Sequence, residues 1–146
     1  MVDTVTKEKR HEIMSKIRAK NTKIEIRVRL WLHHNGVRYR KNCKGIIGNP
    51  DIAIKKYKIA IFINGCFWHG HWNCKISHVP KSQSEFWEKK IEKNRARDER
   101  IRQELIGSGW NVFVLWECQI NANFENVMQE LLAKIQLIKK QRRSAG

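Results

Sequence analysis

The stretch from residue 59 to residue 116 constrains the fold more than any other part of the chain. It opens with an apolar, β-branched run, Ile59 to Ile63. A capping box, Ser82-x-x-Glu85, then starts a long helical pattern that stops at Gly107-Ser108-Gly109, and a second strand-like run, Trp110 to Trp116, follows. Strand, long helix, strand is a crossover unit. A connection of that kind carries the chain back over the sheet, so at least part of the sheet is expected to be parallel. A helix precedes the unit, beginning at the capping box Thr22-x-x-Glu25, with apolar Ile24, Val28, Trp31 and Leu32, and stopping at Asn35-Gly36. Strands are expected at 37–40 and from Asp51 to Ile54, with Lys55-Lys56-Tyr57-Lys58 turning into Ile59–Ile63. A last amphipathic helix carries Phe124, Val127, Met128, Leu131, Leu132, Ile135 and Ile138 on one face. The class is α/β, a mixed sheet flanked by helices.

No internal repeat or Pro-rich linker interrupts this pattern, so a single domain over residues 1–146 is expected. It has a basic arm at 1–20 and a frayed basic tail at 139–146, KKQRRSAG. Within the arm, residues 7–20 read as a short helix with Ile13, Met14 and Ile17 on one side. This reads equally as a helix packed on the domain and as an arm whose apolar tip touches a ligand.

Charge narrows the partner. The 30 Lys and Arg against 14 Asp and Glu give a formal net charge of +16, which in a folded domain points to a polyanion. Six Trp and five Phe argue against disorder. No apolar run approaches the roughly 20 residues of a membrane span, and the N-terminus lacks the apolar stretch of a secretion signal. A cytoplasmic location, with no membrane partner, is expected. In a reducing cytosol, clustered Cys and His are more often metal ligands than disulfide partners.

Such a cluster lies at Cys66-Phe-Trp-His69-Gly-His71-Trp-Asn-Cys74. Cys66, His71 and Cys74 offer three ligands. Cys118, just past the strand Trp110–Trp116, supplies a fourth if that strand pairs beside Ile59–Ile63. Three thiolates and an imidazole make a closed tetrahedral site, the pattern of one structural zinc ion stabilising a loop. The alternative is that these cysteines are small buried residues. Cys43, in a basic loop, is left as a free thiol.

These residues, taken with several others, carry a resemblance. Asn21-Thr22-x-Ile24-Glu25, Pro50-Asp51, Gly65-Cys66-Phe67-Trp68-His69-x-His71, Glu85-Phe86-Trp87-x-Lys89-x-Ile91, Asn94, and Gly109-Trp110 through Trp116-Glu117-Cys118 together resemble the very-short-patch repair (Vsr) mismatch endonucleases. The resemblance implies a restriction-endonuclease-like fold, catalytic Mg2+ as one or two ions, and a structural Zn2+ in the loop. It implies a nick on the 5′ side of the thymine in a T·G mismatch, the product of 5-methylcytosine deamination, made by a monomer on double-stranded DNA. Repair-pathway proteins are the further partners.

Asp51 follows Pro50 at the start of a strand, where the backbone is fixed and the carboxylate sits at the sheet edge. Alone, it would read as a turn residue of Asn-Pro-Asp. The acidic residue and Lys that restriction-type nucleases carry on the next strand are replaced here by Phe62 and Asn64. The resemblance therefore implies that magnesium is held by Asp51, the backbone carbonyl of Ile63, phosphate oxygens and water, a hard-oxygen set. Where Asn64 stands, the well-studied pattern has a histidine.

His69 lies between two zinc ligands but is surplus to a complete set; on its position in the motif it is read as the general base. The alternative exchanges His69 and His71. Glu25, the third catalytic candidate, completes a capping box and could also hold a metal-bound water.

For the DNA contacts, similarity implies that Phe67, Trp68 and Trp87 form a wedge between base pairs, cheapest to insert at a mispair. Trp31, Trp110 and Trp116 are assigned to the core. On the long helix, Trp87, Ile91, Asn94, Asp98, Ile101 and Leu105 share a face, so Asn94 and Asp98 interrupt an apolar stripe and need partners. Either they form a satisfied pair within the fold, or Lys90 and Asn94 reach the mismatch or its phosphates while Met14 and Ile17 approach from the other groove. The competing functions are a non-catalytic zinc-bearing DNA-binding module, which has no use for Asp51 and His69, and a dimeric restriction enzyme, which would keep the acidic-x-Lys pair.

Overall fold

The computed structural model describes residues 23–41, 43–66, 69 and 84–145. The 7–20 helix, both capping-box serine and threonine residues, Met14, Ile17, Phe67, Trp68, His71 and Cys74 lie outside them. Among the described residues the order is α1 (Lys23–His34), β1 (Arg40–Lys41), β2 (Ile52–Ile54), a 3-10 turn (Lys55–Tyr57), β3 (Ile59–Asn64), α2 (Ser84–Gly107), β4 (Asn111–Trp116) and α3 (Glu117–Ala145). The four strands form one mixed sheet in the order β1-β2-β3-β4. The first two pairings are antiparallel, and β3 pairs with β4 in parallel from Ile59↔Asn111 to Asn64↔Trp116. The α/β class and the parallel crossover of the sequence reading are both present.

Alternation along the strands sorts the core into two layers. Ile59, Ile61, Ile63, Ile52, Ile54 and Leu115 point to one face, where they meet Val28 and Leu32 of α1 and Ile120, Met128, Leu131 and Ile135 of α3. Ala53, Ala60, Phe62 and Val112 point to the other, against Ile101 and Leu105 of α2 and Cys43 and Ile46 of the loop before β2. Small alanines on that second face let α2 and the loop come close to the sheet. Replacing a fully buried isoleucine such as Ile61 by Ala would cost about 2–5 kcal/mol.

Both long helix-to-strand turns are built by glycine. At the end of α1, Gly36 has φ +78°, its N–H reaches His33 O and the Val37 N–H reaches Leu32 O. At the end of α2, Gly109 has φ +86°, with Gly109 N–H on Ile106 O and Trp110 N–H on Leu105 O. In each, a left-handed residue returns two N–H groups to the last open carbonyls, and the following apolar residue packs back.

Three elements depart from the sequence reading. The strand expected at 37–40 is only Arg40–Lys41, because Val37 is drawn into the helix-ending motif and Tyr39 turns its hydroxyl to Arg29 O. The turn after β2 is a 3-10 turn closed by Lys58 in the left-handed region, φ 51°. The last helix begins at Glu117 and kinks at Asn123 (φ −155°, ψ 56°). It also runs on to Ala145, through most of the segment expected as a frayed tail, since Lys, Gln and Arg propagate a helix well.

Candidate active site

Pro50 and Asp51 are delivered to the sheet by the loop from Cys43. The Cys43 N–H reaches Pro50 O at 3.1 Å and the Asn49 N–H reaches Ile46 O at 3.0 Å, while Gly48 (φ +80°) and Asn49 (φ 50°) turn the chain sharply. A Cβ on Gly48 would come within 2.4 Å of Ile101 Cγ2. The loop therefore lies directly against α2 at a point only glycine permits.

Asp51 is buried, and its Oδ2 accepts the Ile63 N–H at 2.7 Å. This bond lies two residues past the last β2–β3 pair on that strand, Ile52↔Ile61, so the carboxylate takes over where the ladder stops. In an extended strand the N–H and C=O of one residue face the same edge, so the Ile63 carbonyl also faces the Asp51 edge. A carboxylate beside a backbone carbonyl is a hard-oxygen pair of the kind that suits magnesium. Glu25 is also buried, on α1, with Arg29 one turn on at 3.7 Å.

The chain leaves β3 through Gly65 and Cys66, and the His69 N–H bonds back to Gly65 O at 3.2 Å. His69 Nδ1 lies 2.6 Å from Asp98 Oδ2 of α2, with side chains 26% and 30% exposed, and its ring stands edge-on to Trp116 at 6.4 Å. Asp98 was legible as an interruption of an apolar stripe that must find a partner, but the partner was not: it is His69. Trp116, expected in the core, belongs instead to this site. Asn64, buried, is paired in register with Trp116.

Beneath His69, the parallel pairing brings the two ends of β3 and β4 together. Cys66 is fully buried, and its sulfur receives the Cys118 N–H at 3.4 Å. Glu117, the first residue of α3, accepts the Cys66 N–H at 3.2 Å, a contact no sequence signal announced. The two cysteines thus sit at neighbouring strand ends, and their thiolates are soft donors of the type that suits zinc. Among the described residues no group of three or more His, Cys, Asp or Glu side chains converges; the other two expected ligands, His71 and Cys74, lie outside them.

The long helix carries the remaining candidates. Trp87 is buried and packs edge-to-face with Phe86 at 5.1 Å, and it is Phe86 that is exposed, at 56%. The Lys90 ammonium sits over both rings, 5.9 Å from Phe86 and 5.6 Å from Trp87. Asn94 is half-buried on the same helix. Cys43 is a buried free thiol, pushed above its ordinary range by burial.

Comparison with known proteins gives the family. The family model for the DNA mismatch endonuclease Vsr matches residues 2–75. The chain is 48% identical over 120 residues, 82% of its length and 85% of the relative's, to the type II nicking enzyme V.NmeAIP of Neisseria meningitidis serogroup A. It is 43% identical over 121 residues, 83% and 88% of the two chains, to the type II nicking enzyme V.XorIIP of Xanthomonas oryzae pv. oryzae. With the DNA mismatch endonuclease Vsr of Escherichia coli it shares 36% identity over 134 residues, 92% and 85% of the two chains. A chain with this sheet, this Asp51 edge and these relatives belongs to the Vsr DNA mismatch endonuclease family.

Proposed function

We propose that the protein nicks one strand of duplex DNA on the 5′ side of the thymine in a T·G mismatch and so opens short-patch repair of deaminated 5-methylcytosine. The observation that carries this reading is the placement of the buried Asp51 carboxylate and the His69–Asp98 pair at the same end of β3. The names of the relatives in Neisseria and Xanthomonas support a single-strand break, and that of the Escherichia coli relative supports a mismatch as the target.

In this mechanism Asp98 holds the His69 imidazole with its proton on Nδ1, which leaves the Nε2 lone pair to take a proton from water. The water oxygen bonds to phosphorus, and the bond from phosphorus to the 3′ oxygen breaks. Asp51 and the Ile63 carbonyl would hold magnesium, which when bound supplies charge stabilisation at the scissile phosphate. Cys66 and Cys118, with His71 and Cys74, would hold the structural zinc, tying the loop that bears His69 to the strand ends. Glu25, from α1, would steady a water of the magnesium shell. Met14, Ile17, Phe67, Trp68, Trp87, Lys90 and Asn94 are the proposed DNA contacts, and the protein acts as a cytoplasmic monomer.

The test is a panel of end-labelled heteroduplexes covering every mismatch, incubated with magnesium. A single cut 5′ of thymine in the T·G duplex, with matched DNA intact, is expected. Cleavage of both strands, or equal cutting of matched DNA, would overturn the reading.

A further inference from the structure

The end of the molecule remote from Asp51 concentrates charge that the proposed reaction does not use. Residues 52–58 hold Lys55, Lys56 and Lys58 and no acid, and residues 131–146 hold five Lys and Arg and no acid. Between them these two short segments contribute half of the formal net charge of +16.

The fold brings the segments together. β3 and β4 run in parallel away from Ile59 and Asn111 towards Asn64 and Trp116, where Asp51 and His69 sit. The 3-10 turn Lys55–Tyr57 closes the opposite end of β3. The helix α3 starts at the site end, and beyond its kink at Asn123 it runs on to Ala145, a stretch of about 33 Å at roughly 1.5 Å per residue. A six-residue strand covers only about 20 Å. The helix therefore passes the whole sheet. It crosses the turn at Tyr57, whose ring has the Lys139 ammonium at 5.6 Å and the Lys56 ammonium at 5.5 Å, and it continues past that crossing to Ala145.

The helix dipole favours cations in a last helical turn, which accounts for some of the basic residues of α3 but not for lysines on a separate 3-10 turn. Gathering like charges destabilises the compact state unless a polyanion meets them. Duplex DNA, with one negative charge per roughly 1.7 Å of axis, fits cations set around a helix end and the adjoining turn, and DNA is the polyanion on which the reading above already rests. We infer that Lys56, Lys139, Lys140 and Arg142 form a second duplex-binding surface, which holds through its phosphates a segment of DNA other than the one being cut. Such a hold is independent of sequence and lets the protein pass between segments while searching for a mismatch.

The test is the variant Lys139→Gln, Lys140→Gln, Arg142→Gln in the full chain, in which glutamine preserves helix propensity and circular dichroism checks the helix. Three readouts are compared with the unmodified protein: nicking of a short mismatched duplex, salt dependence of binding to a long matched duplex, and release from a labelled mismatched duplex driven by added matched duplex. The surface predicts unchanged nicking of the short duplex, a salt slope shallower by about 2 to 3, and loss of the release driven by competitor. Unchanged slope and unchanged release would overturn it, as would an equal loss of short-duplex nicking, which would merge the patch with the cleavage site. Binding of polyglutamate that is lost in the variant while the DNA readouts stay the same would overturn it in favour of an acidic protein seated at the groove of Leu132, Ile135, Lys139 and Lys140. The two binding readouts need no cleavage, so a protein that fails to nick T·G but shows the altered slope refutes the proposed function and leaves the surface standing.

Discussion

At the scale of single residues, the account turns on which side chain orients which. His69 is held from two directions, by its own N–H on Gly65 O and by Asp98 on Nδ1. Asp98→Asn keeps the size of the side chain but gives up the negative charge that, in the proposed mechanism, fixes the tautomer. Its nicking rate should fall, by up to the roughly 10²- to 10⁴-fold expected for losing a positioned base altogether, with binding to mismatched DNA and zinc content unchanged. Single-turnover kinetics beside a binding titration checks this, and a variant that binds weakly but turns over normally would return Asp98 to a structural role. The sequence marked Asp98 only as a polar break in a helical stripe. Periodicity reports which face of a helix a residue occupies, whereas the partner across the fold depends on where the Gly65–His69 loop turns, and that is set by tertiary contacts.

At the scale of elements, helix ends were the most legible feature, because a left-handed position admits glycine at low cost and most other residues at a penalty. Asn35-Gly36 and Gly107-Ser108-Gly109 mark both stops within a residue. The strand expected at 37–40 shortens for the same local reason: Val37 serves the helix-ending motif, and only Arg40 and Lys41 remain to pair. Glycines that look alike in sequence differ in their surroundings. Gly36 has open space where a Cβ would go, while a Cβ on Gly48 would strike Ile101. Gly36→Ala should therefore cost only the left-handed backbone penalty, about 1–2 kcal/mol. Gly48→Ala should cost that and a further 1–3 kcal/mol or so of overpacking, and it should depress nicking more than mismatch binding, since Asp51 follows three residues later. Urea unfolding of both variants is the measurement; equal losses would mean that the loop yields freely and does not position Asp51.

At the scale of the whole molecule, the crossover is the link between sequence and chemistry. A strand, a long helix and a parallel strand place Cys118 beside Cys66, and the same arrangement lays α2 over the sheet so that Asp98 meets His69. If zinc ties this junction, the purified protein should contain about one zinc per chain, and Cys66→Ser should lose it together with much of the stability, because thiolate ligation contributes folding free energy. Elemental analysis with thermal unfolding decides it; full stability and nicking in a zinc-free preparation would remove the metal from the account. Charge was legible as a total but not as a distribution, since the neighbours Tyr57 and Lys139 are far apart in sequence. The claim on which everything else depends is that Asp51 is the carboxylate of a mismatch-nicking centre. It is tested most directly by strand-resolved cleavage of a T·G heteroduplex with magnesium, comparing the unmodified chain with Asp51→Ala. The account predicts one cut 5′ of the thymine for the former and none for the latter, with mismatch binding retained by both; an Asp51→Ala protein that nicks at the normal rate would contradict it.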